Sequence, residues 1–221
     1  MNKSGLIVLS VLIASGPAYT SSPLAPPSDA ELKIHLANGA EIEARLDADL
    51  TGDGLPDTAV VGRAYGRILL VLAGFREGAR TGYRVIGETG LPDGALAPAG
   101  LSLRRNVMVL KDATGAETVT KATYRYRFAP AEGRMRLIGL DAERYSRTGA
   151  HAPLKLSWNM LTGEHLVQYG RRVRTGGKTG YEYAPPDRTL READGAVWME
   201  NTPMPEELVQ AEVIPDDEDR D

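Results

Sequence analysis

Thr118-Val119-Thr120-Lys121-Ala122-Thr123-Tyr124-Arg125-Tyr126-Arg127-Phe128 is the stretch that decides the fold. Thr120, Ala122, Tyr124, Tyr126 and Phe128 share one face, and Lys121, Thr123, Arg125 and Arg127 share the other. Successive side chains of a strand point to opposite faces, so this period of two describes a long, half-buried β-strand. Glu132-Gly133 supplies a turn, and Arg134-Met135-Arg136-Leu137-Ile138-Gly139-Leu140 returns as a partner strand. Downstream, residues 154–158 and 165–169 flank Leu161-Thr162-Gly163 and predict a second hairpin. Upstream, Ile68-Leu69-Leu70-Val71-Leu72 is continuously apolar and bounded by glycines, as expected of a strand covered on both faces. Thr58-Ala59-Val60-Val61 is a shorter run of the same kind.

Near the start, residues 31–36 and 40–46 each alternate around Asn38-Gly39, the strongest short-range hairpin signal. Helix is expected only at residues 205–210, where Pro205 precedes Glu206 and Glu207. With 24 glycines and 14 prolines in 221 residues, short strands and many turns are favoured over long helices. The expected class is mainly β: antiparallel hairpins forming a single sheet, a sandwich or a barrel-like domain, with little helix.

Residues 1–18 have the form of a secretory signal. Lys3 is followed by the apolar run of residues 5–14, and Gly16-Pro17-Ala18 offers small residues for cleavage. The run is too short for an anchor, which needs roughly 20 apolar residues. Residues 19–29 are a Pro/Ser-rich lead-in, residues 30–212 a single β domain, and residues 213–221 an acidic, solvated tail. The expected location is periplasmic or secreted, with no membrane span after cleavage. A net charge of −4 argues against nucleic acid as a partner. The absence of cysteine excludes disulfides, a thiol nucleophile and thiolate zinc sites.

One segment carries chemistry. In Asp47-Ala48-Asp49-Leu50-Thr51-Gly52-Asp53-Gly54-Leu55-Pro56-Asp57, the residues Asp49, Thr51 and Asp53 fall at loop positions 1, 3 and 5. Gly54 permits a sharp turn, Leu55 offers its backbone carbonyl, and Asp57 adds a carboxylate at position 9. Calcium takes six to eight oxygens, and a tight loop can deliver them from alternate positions. Position 12 is Val60 where an EF-hand has its bidentate glutamate, and the flanks are strand-like, so this is not an EF-hand.

The spacing resembles the Asp-rich loop of FG-GAP and VCBS-type repeats, over about fifteen residues. The resemblance implies Ca2+ held between two strands by Asp49, Thr51, Asp53, Leu55 and Asp57. The neutral Thr51 implies weak affinity, roughly 10⁻⁴–10⁻³ M. The pattern occurs once, so no propeller follows. The stretch from Tyr124 to Gly163 is similar to one seen in small uncharacterised exported bacterial proteins, and that similarity brings no activity with it.

Other motifs fail. There is no Gly-x-Ser-x-Gly elbow and no His-Glu-x-x-His. Gly176-Gly177-Lys178-Thr179 lacks the first glycine of a phosphate loop, because residue 172 is Arg172. The arginine stripe at Arg125, Arg127, Arg134 and Arg136 reads as a solvated sheet face rather than a polyanion site. Trp158, Tyr169, Tyr181 and Tyr183 are candidates for a sugar-stacking platform, although Trp158 alternates with Leu154 and Leu156 as a core residue does. The resulting expectation is an exported, calcium-stabilised β domain that binds an unknown protein or glycan. The alternatives are a hydrolase using paired carboxylates, and an inhibitor or immunity-type protein presenting residues 90–100 as a protruding loop.

Overall fold

The computed structural model describes residues 24–36, 39–176, 178–191 and 195–212. The expected leader (residues 1–18) and acidic tail (residues 213–221) lie outside these, as do Ala37 and Asn38.

Helix α1 (Asp29–His35) comes first. A four-stranded antiparallel meander follows, β1 (Glu41–Ala48), β2 (Asp57–Arg63), β3 (Arg67–Glu77) and β4 (Arg80–Leu91), in spatial order β1-β2-β3-β4. The second sheet has eight strands: β5 (Gly100–Arg104), β6 (Val107–Gly115), β7 (Thr118–Ala129), β8 (Arg134–Ser146), β9 (Leu154–Asn159), β10 (Glu164–Thr175), β11 (Lys178–Tyr183) and β12 (Asp187–Leu190). Its path runs β11-β10-β9-β8-β7-β6-β5, and β12 also pairs with β10. Helix α2 (Pro205–Ala211) closes the described chain. The expected mainly-β class is observed, and of its three forms the protein adopts the sandwich-like one.

The two sheets share one apolar core. Ala59, Val61, Leu69, Val71 and Ala73 come from the small sheet, and Leu110, Tyr124, Tyr126, Leu137, Leu140 and Leu156 from the large one. Helix α2 packs on β7, β8 and β9 and adds Leu208 and Val209 to that core. On the far face of the small sheet, Val60, Leu70 and Leu72 pack under Leu32 and Leu36 of α1. The small sheet is therefore covered on both sides, which explains the unbroken apolar run of residues 68–72.

The first expected strand is a correction. Residues 31–36 belong mostly to α1, and the expected hairpin around Asn38-Gly39 does not form from them. Ser28 and Glu31 make a reciprocal capping box, with Ser28 Oγ accepting from the Glu31 amide and Glu31 accepting from the Ser28 amide at 2.7 Å. Leu32 and Leu36, four apart, are buried, while Ile34 is 79% exposed. A strand would have buried all three on one face, whereas helical spacing excludes Ile34. Ser28 and Asp29, assigned to the lead-in from sequence, are the N-cap and first residue of α1. The described end of the lead-in, from residue 24, is held against the domain: Tyr83 Oη donates to the Ala25 carbonyl, and Arg45 Nη2 donates to the Pro27 carbonyl at 2.6 Å.

The alternation of residues 40–46 also changes phase. The β1–β2 register shifts between Ile42 and Ala44, leaving Glu43 as an extra residue on β1. Ile42 consequently packs on the α1 side, while Ala44, Leu46 and Ala48 face the large sheet. Such a bulge re-aims its side chain, and Glu43 is turned toward the junction of the two sheets. The other expected hairpins form as read, β7–β8 through Gly133 and β9–β10 through Gly163, both glycines at positive φ.

Candidate functional site

Residues 49–56 connect β1 to β2, so the Asp-rich loop does lie between two adjacent antiparallel strands. Gly52 and Gly54 both sit at φ +82, a left-handed conformation that disfavours side chains bearing a Cβ. These two glycines fold the loop back over Asp49. Asp49 Oδ1 accepts from the amides of Gly52 (2.6 Å) and Asp53 (3.1 Å), and its Oδ2 from Gly54 (3.0 Å). Asp53 Oδ1 accepts from the Leu55 amide at 2.8 Å.

Asp57 has a different task. It is fully buried, and its Oδ2 accepts from the amides of Leu50 (2.7 Å) and Thr51 (2.8 Å), while Oδ1 accepts from Gly74 on β3 (3.0 Å). One carboxylate thus ties the loop to two strands. Burial pushes its pKa up from the ordinary value, against the pull of the backbone donors at Thr51, Gly74 and Leu50. Gly74 is glycine for a reason of space: a Cβ there would lie 2.6 Å from the Pro56 carbonyl oxygen and 2.8 Å from Leu24 Cδ2.

The five sequence-predicted ligands are therefore neighbours on one loop, but their oxygens do not converge. Among the described residues, no three Asp, Glu or His side chains are grouped to hold a metal. Backbone amides donate to the carboxylates of both Asp49 and Asp57. What remains open at the loop mouth is Asp53, exposed, and Asp49, part-exposed, each with lone pairs unused. Thr51 Oγ1 is buried without a well-formed hydrogen bond, although it lies close enough to Asp57 to favour that carboxylate's charge. The carboxylates of Asp49 and Asp53 are the hard oxygen donors that calcium takes, whereas Thr51 Oγ1 is turned toward Asp57. Asp57 is already engaged by three donors and fits that role least.

A second polar cluster was invisible in the sequence. Arg67 of β3 is bonded to Glu43 on the β1 bulge and to Asp112 on β6. Burial alone would raise the Glu43 pKa. Hydrogen bonds from Arg67, the Ala99 amide and Arg63, together with the Arg67 charge, outweigh it and hold the value down at about 2.

The remaining candidates disperse. Trp158 is 8% exposed and donates to the Arg191 carbonyl, so it belongs to the core. Tyr169 packs against the same core, whereas Tyr181 and Tyr183 reach the outer face of the large sheet. The arginine stripe splits: Arg125 pairs with Asp141 at 2.6 Å, and the Arg134 guanidinium lies 3.9 Å from the Trp198 ring centre. Residues 92–99 are pinned to β6 through the Leu96 amide to the Ala113 carbonyl and the Gly115 amide to the Gly94 carbonyl.

No family model, curated protein or solved structure matches the chain. Among the described residues, no helix is long and apolar enough to cross a membrane.

Proposed function

We propose that the chain is an exported, non-catalytic β domain that binds an envelope or extracellular ligand, and that the loop of residues 49–57 takes up one Ca2+ that stiffens the β1–β2 junction. The observation that carries the calcium reading is the loop mouth. Asp49 and Asp53 both keep lone pairs free for a cation there. When bound, the ion would supply charge neutralisation for Asp49 and Asp53 and no chemistry on a substrate. The chain itself holds the loop closed through the amides on Asp49 and Asp57, so calcium adds to a structure already formed. Export is supported by the form of residues 1–18.

The test is thermal unfolding of the chain from residue 19, in calcium and then in excess chelator. Calcium at 100 times its Kd adds about 2.7 kcal/mol to the folded state. The melting temperature is expected to rise with calcium in the native chain and to stop responding in Asp53→Ala. No rise up to about 10 mM, well above the affinity range of extracellular sites, overturns the calcium reading.

A further inference from the structure

The outer face of the large sheet carries a groove of about 410 Å3, within the size range of small-ligand sites. Two cross-strand rows form its floor. One is Lys121, Glu143, Lys155 and Gln168 on β7, β8, β9 and β10; the other is Thr123, Asp141, Ser157 and Leu166 on the same strands. Its end wall comes from the chain that follows β10. Gly170 admits Pro153 and Tyr183, since a Cβ there would meet them at 2.7 Å and 2.9 Å. The β10–β11 arm can therefore bend close, so that Tyr183 Oη donates to Glu143 (2.7 Å) and Tyr181 Oη to the Ser146 carbonyl (2.7 Å). Gln168 Nε2 holds the Ala184 carbonyl at 3.1 Å and fixes the approach to Pro186, which lines the groove.

We propose that this groove is the ligand site of the domain and that its ligand is a neutral oligosaccharide. The charge pattern selects the class. Lys121 and Lys155 flank Glu143, and Arg125 flanks Asp141, so cation and carboxylate alternate across the face. A polyanion would meet both carboxylates, and a polycation would meet the cations. A sugar hydroxyl donates to a carboxylate and accepts from an ammonium, so a neutral polyol satisfies both at once. Leu166 and Pro186 give the apolar contact that a sugar ring's C–H face requires.

The carboxylates are also positioned in advance. Asp141 Oδ1 accepts from Ser157 Oγ at 2.7 Å and its Oδ2 from Arg125 at 2.6 Å, which leaves about two of its four lone-pair sites for a ligand. Fixing polar groups before binding lowers the cost of ordering them. Each carboxylate lies beside a cation, Asp141 with Arg125 and Glu143 with Lys121 and Lys155.

This inference rests on the reading of the chain as a binding domain and is independent of calcium. It is tested by calorimetric titration of the chain from residue 19 with the fully N-acetylated chitin hexamer, cellohexaose and maltohexaose, each in calcium and in chelator, with inorganic polyphosphate as the polyanion comparison. Saturable binding of at least one oligosaccharide is expected. The double variant Asp141→Asn, Glu143→Gln should weaken it by about tenfold or more, as loss of charged hydrogen bonds does, while the melting temperature stays near that of the native chain. Absence of binding to all three, binding untouched by the double variant, or preference for polyphosphate overturns the proposal. A failed calcium shift with oligosaccharide binding intact removes the loop reading and leaves the groove standing.

Discussion

Arg67 and Asp112 meet across the sandwich as a bidentate pair, Nη1 to Oδ2 at 2.8 Å and Nη2 to Oδ1 at 3.0 Å, with side chains 1% and 2% exposed. The same guanidinium gives Nε and Nη2 to Glu43 and Nη1 to the Pro92 carbonyl, so all five of its N–H groups are engaged. The arrangement joins β1, β3 and β6, and thereby fixes how the small sheet sits on the large one.

Arg67→Met should destabilise the fold by about 3–5 kcal/mol, because it leaves Asp112 buried without its cation and Glu43 with only the half-exposed Arg63. Arg67→Lys should recover only part of this, since an ammonium cannot reproduce the planar fork. Urea unfolding measures both. A loss under about 1 kcal/mol for Arg67→Met would show that the cluster is a bystander of the packing.

The Glu43 pKa sets an acid window. Its folded value, about 2, lies below its ordinary 4.5. Its contribution is therefore complete above about pH 4.5 and is lost as pH falls toward 2. Asp57, raised by burial, acts with the opposite sign, so the Glu43 share must be isolated. The difference in unfolding free energy between the native chain and Glu43→Gln should shrink steadily from pH 5 to pH 2.5. A difference that stays constant across that range would assign the acid response to other groups.

Parts of this architecture were written locally, and those were legible. The β7–β8 and β9–β10 hairpins follow from alternation and a turn glycine, and the double covering of β3 follows from its unbroken apolar run. Residues 31–36 misled because three apolar residues at alternate positions fit a strand and two of them fit a helix. The discriminating signal was present: Ser28 and Glu31 form a capping box. The Arg67 cluster could not be read, because its partners lie 24 and 45 residues away and one is aimed by a bulge. In the Asp-rich loop the spacing placed Asp49, Asp53 and Asp57 as neighbours, but it did not show that backbone amides would claim Asp49 and Asp57.

The capping box gives a direct test of α1. Ser28→Ala should cost about 1 kcal/mol, the usual value of an N-cap side chain. Leu32→Ala, at a fully buried position under the small sheet, should cost about 2–5 kcal/mol. Ile34→Ala should be close to neutral, since that side chain is mostly in water. A chain whose residues 31–36 formed a strand with one buried face would instead lose as much at Ile34 as at Leu32, and thermal unfolding of the three variants separates the two cases.

Asp57 and Asp53 should part company in the absence of calcium. Both are carboxylates of the same loop, and spacing alone treats them as equivalent ligands. Asp57→Asn keeps the shape and one acceptor, but it turns an NH2 group toward the amides that now donate to Asp57. With one oxygen serving Leu50 and Thr51, the new nitrogen faces the Gly74 amide; with the opposite orientation it faces the other two. Either way a buried amide is left without an acceptor, next to a donor it repels. Hydrogen bonds to a charged group contribute about 1.5–3 kcal/mol, and an orphaned buried donor costs a similar amount. Asp57→Asn should therefore destabilise the chelator-treated chain by about 3 kcal/mol, whereas Asp53→Asn, exposed and holding only the Leu55 amide, should change it by less than about 0.5 kcal/mol. In calcium the order of interest reverses: Asp53→Asn should abolish the added stability while barely affecting the chelator baseline. Equal losses for the two variants in chelator would mean that Asp57 is an ordinary loop residue, and that something other than its three amide bonds holds β1, β2 and β3 in register at this end of the sandwich.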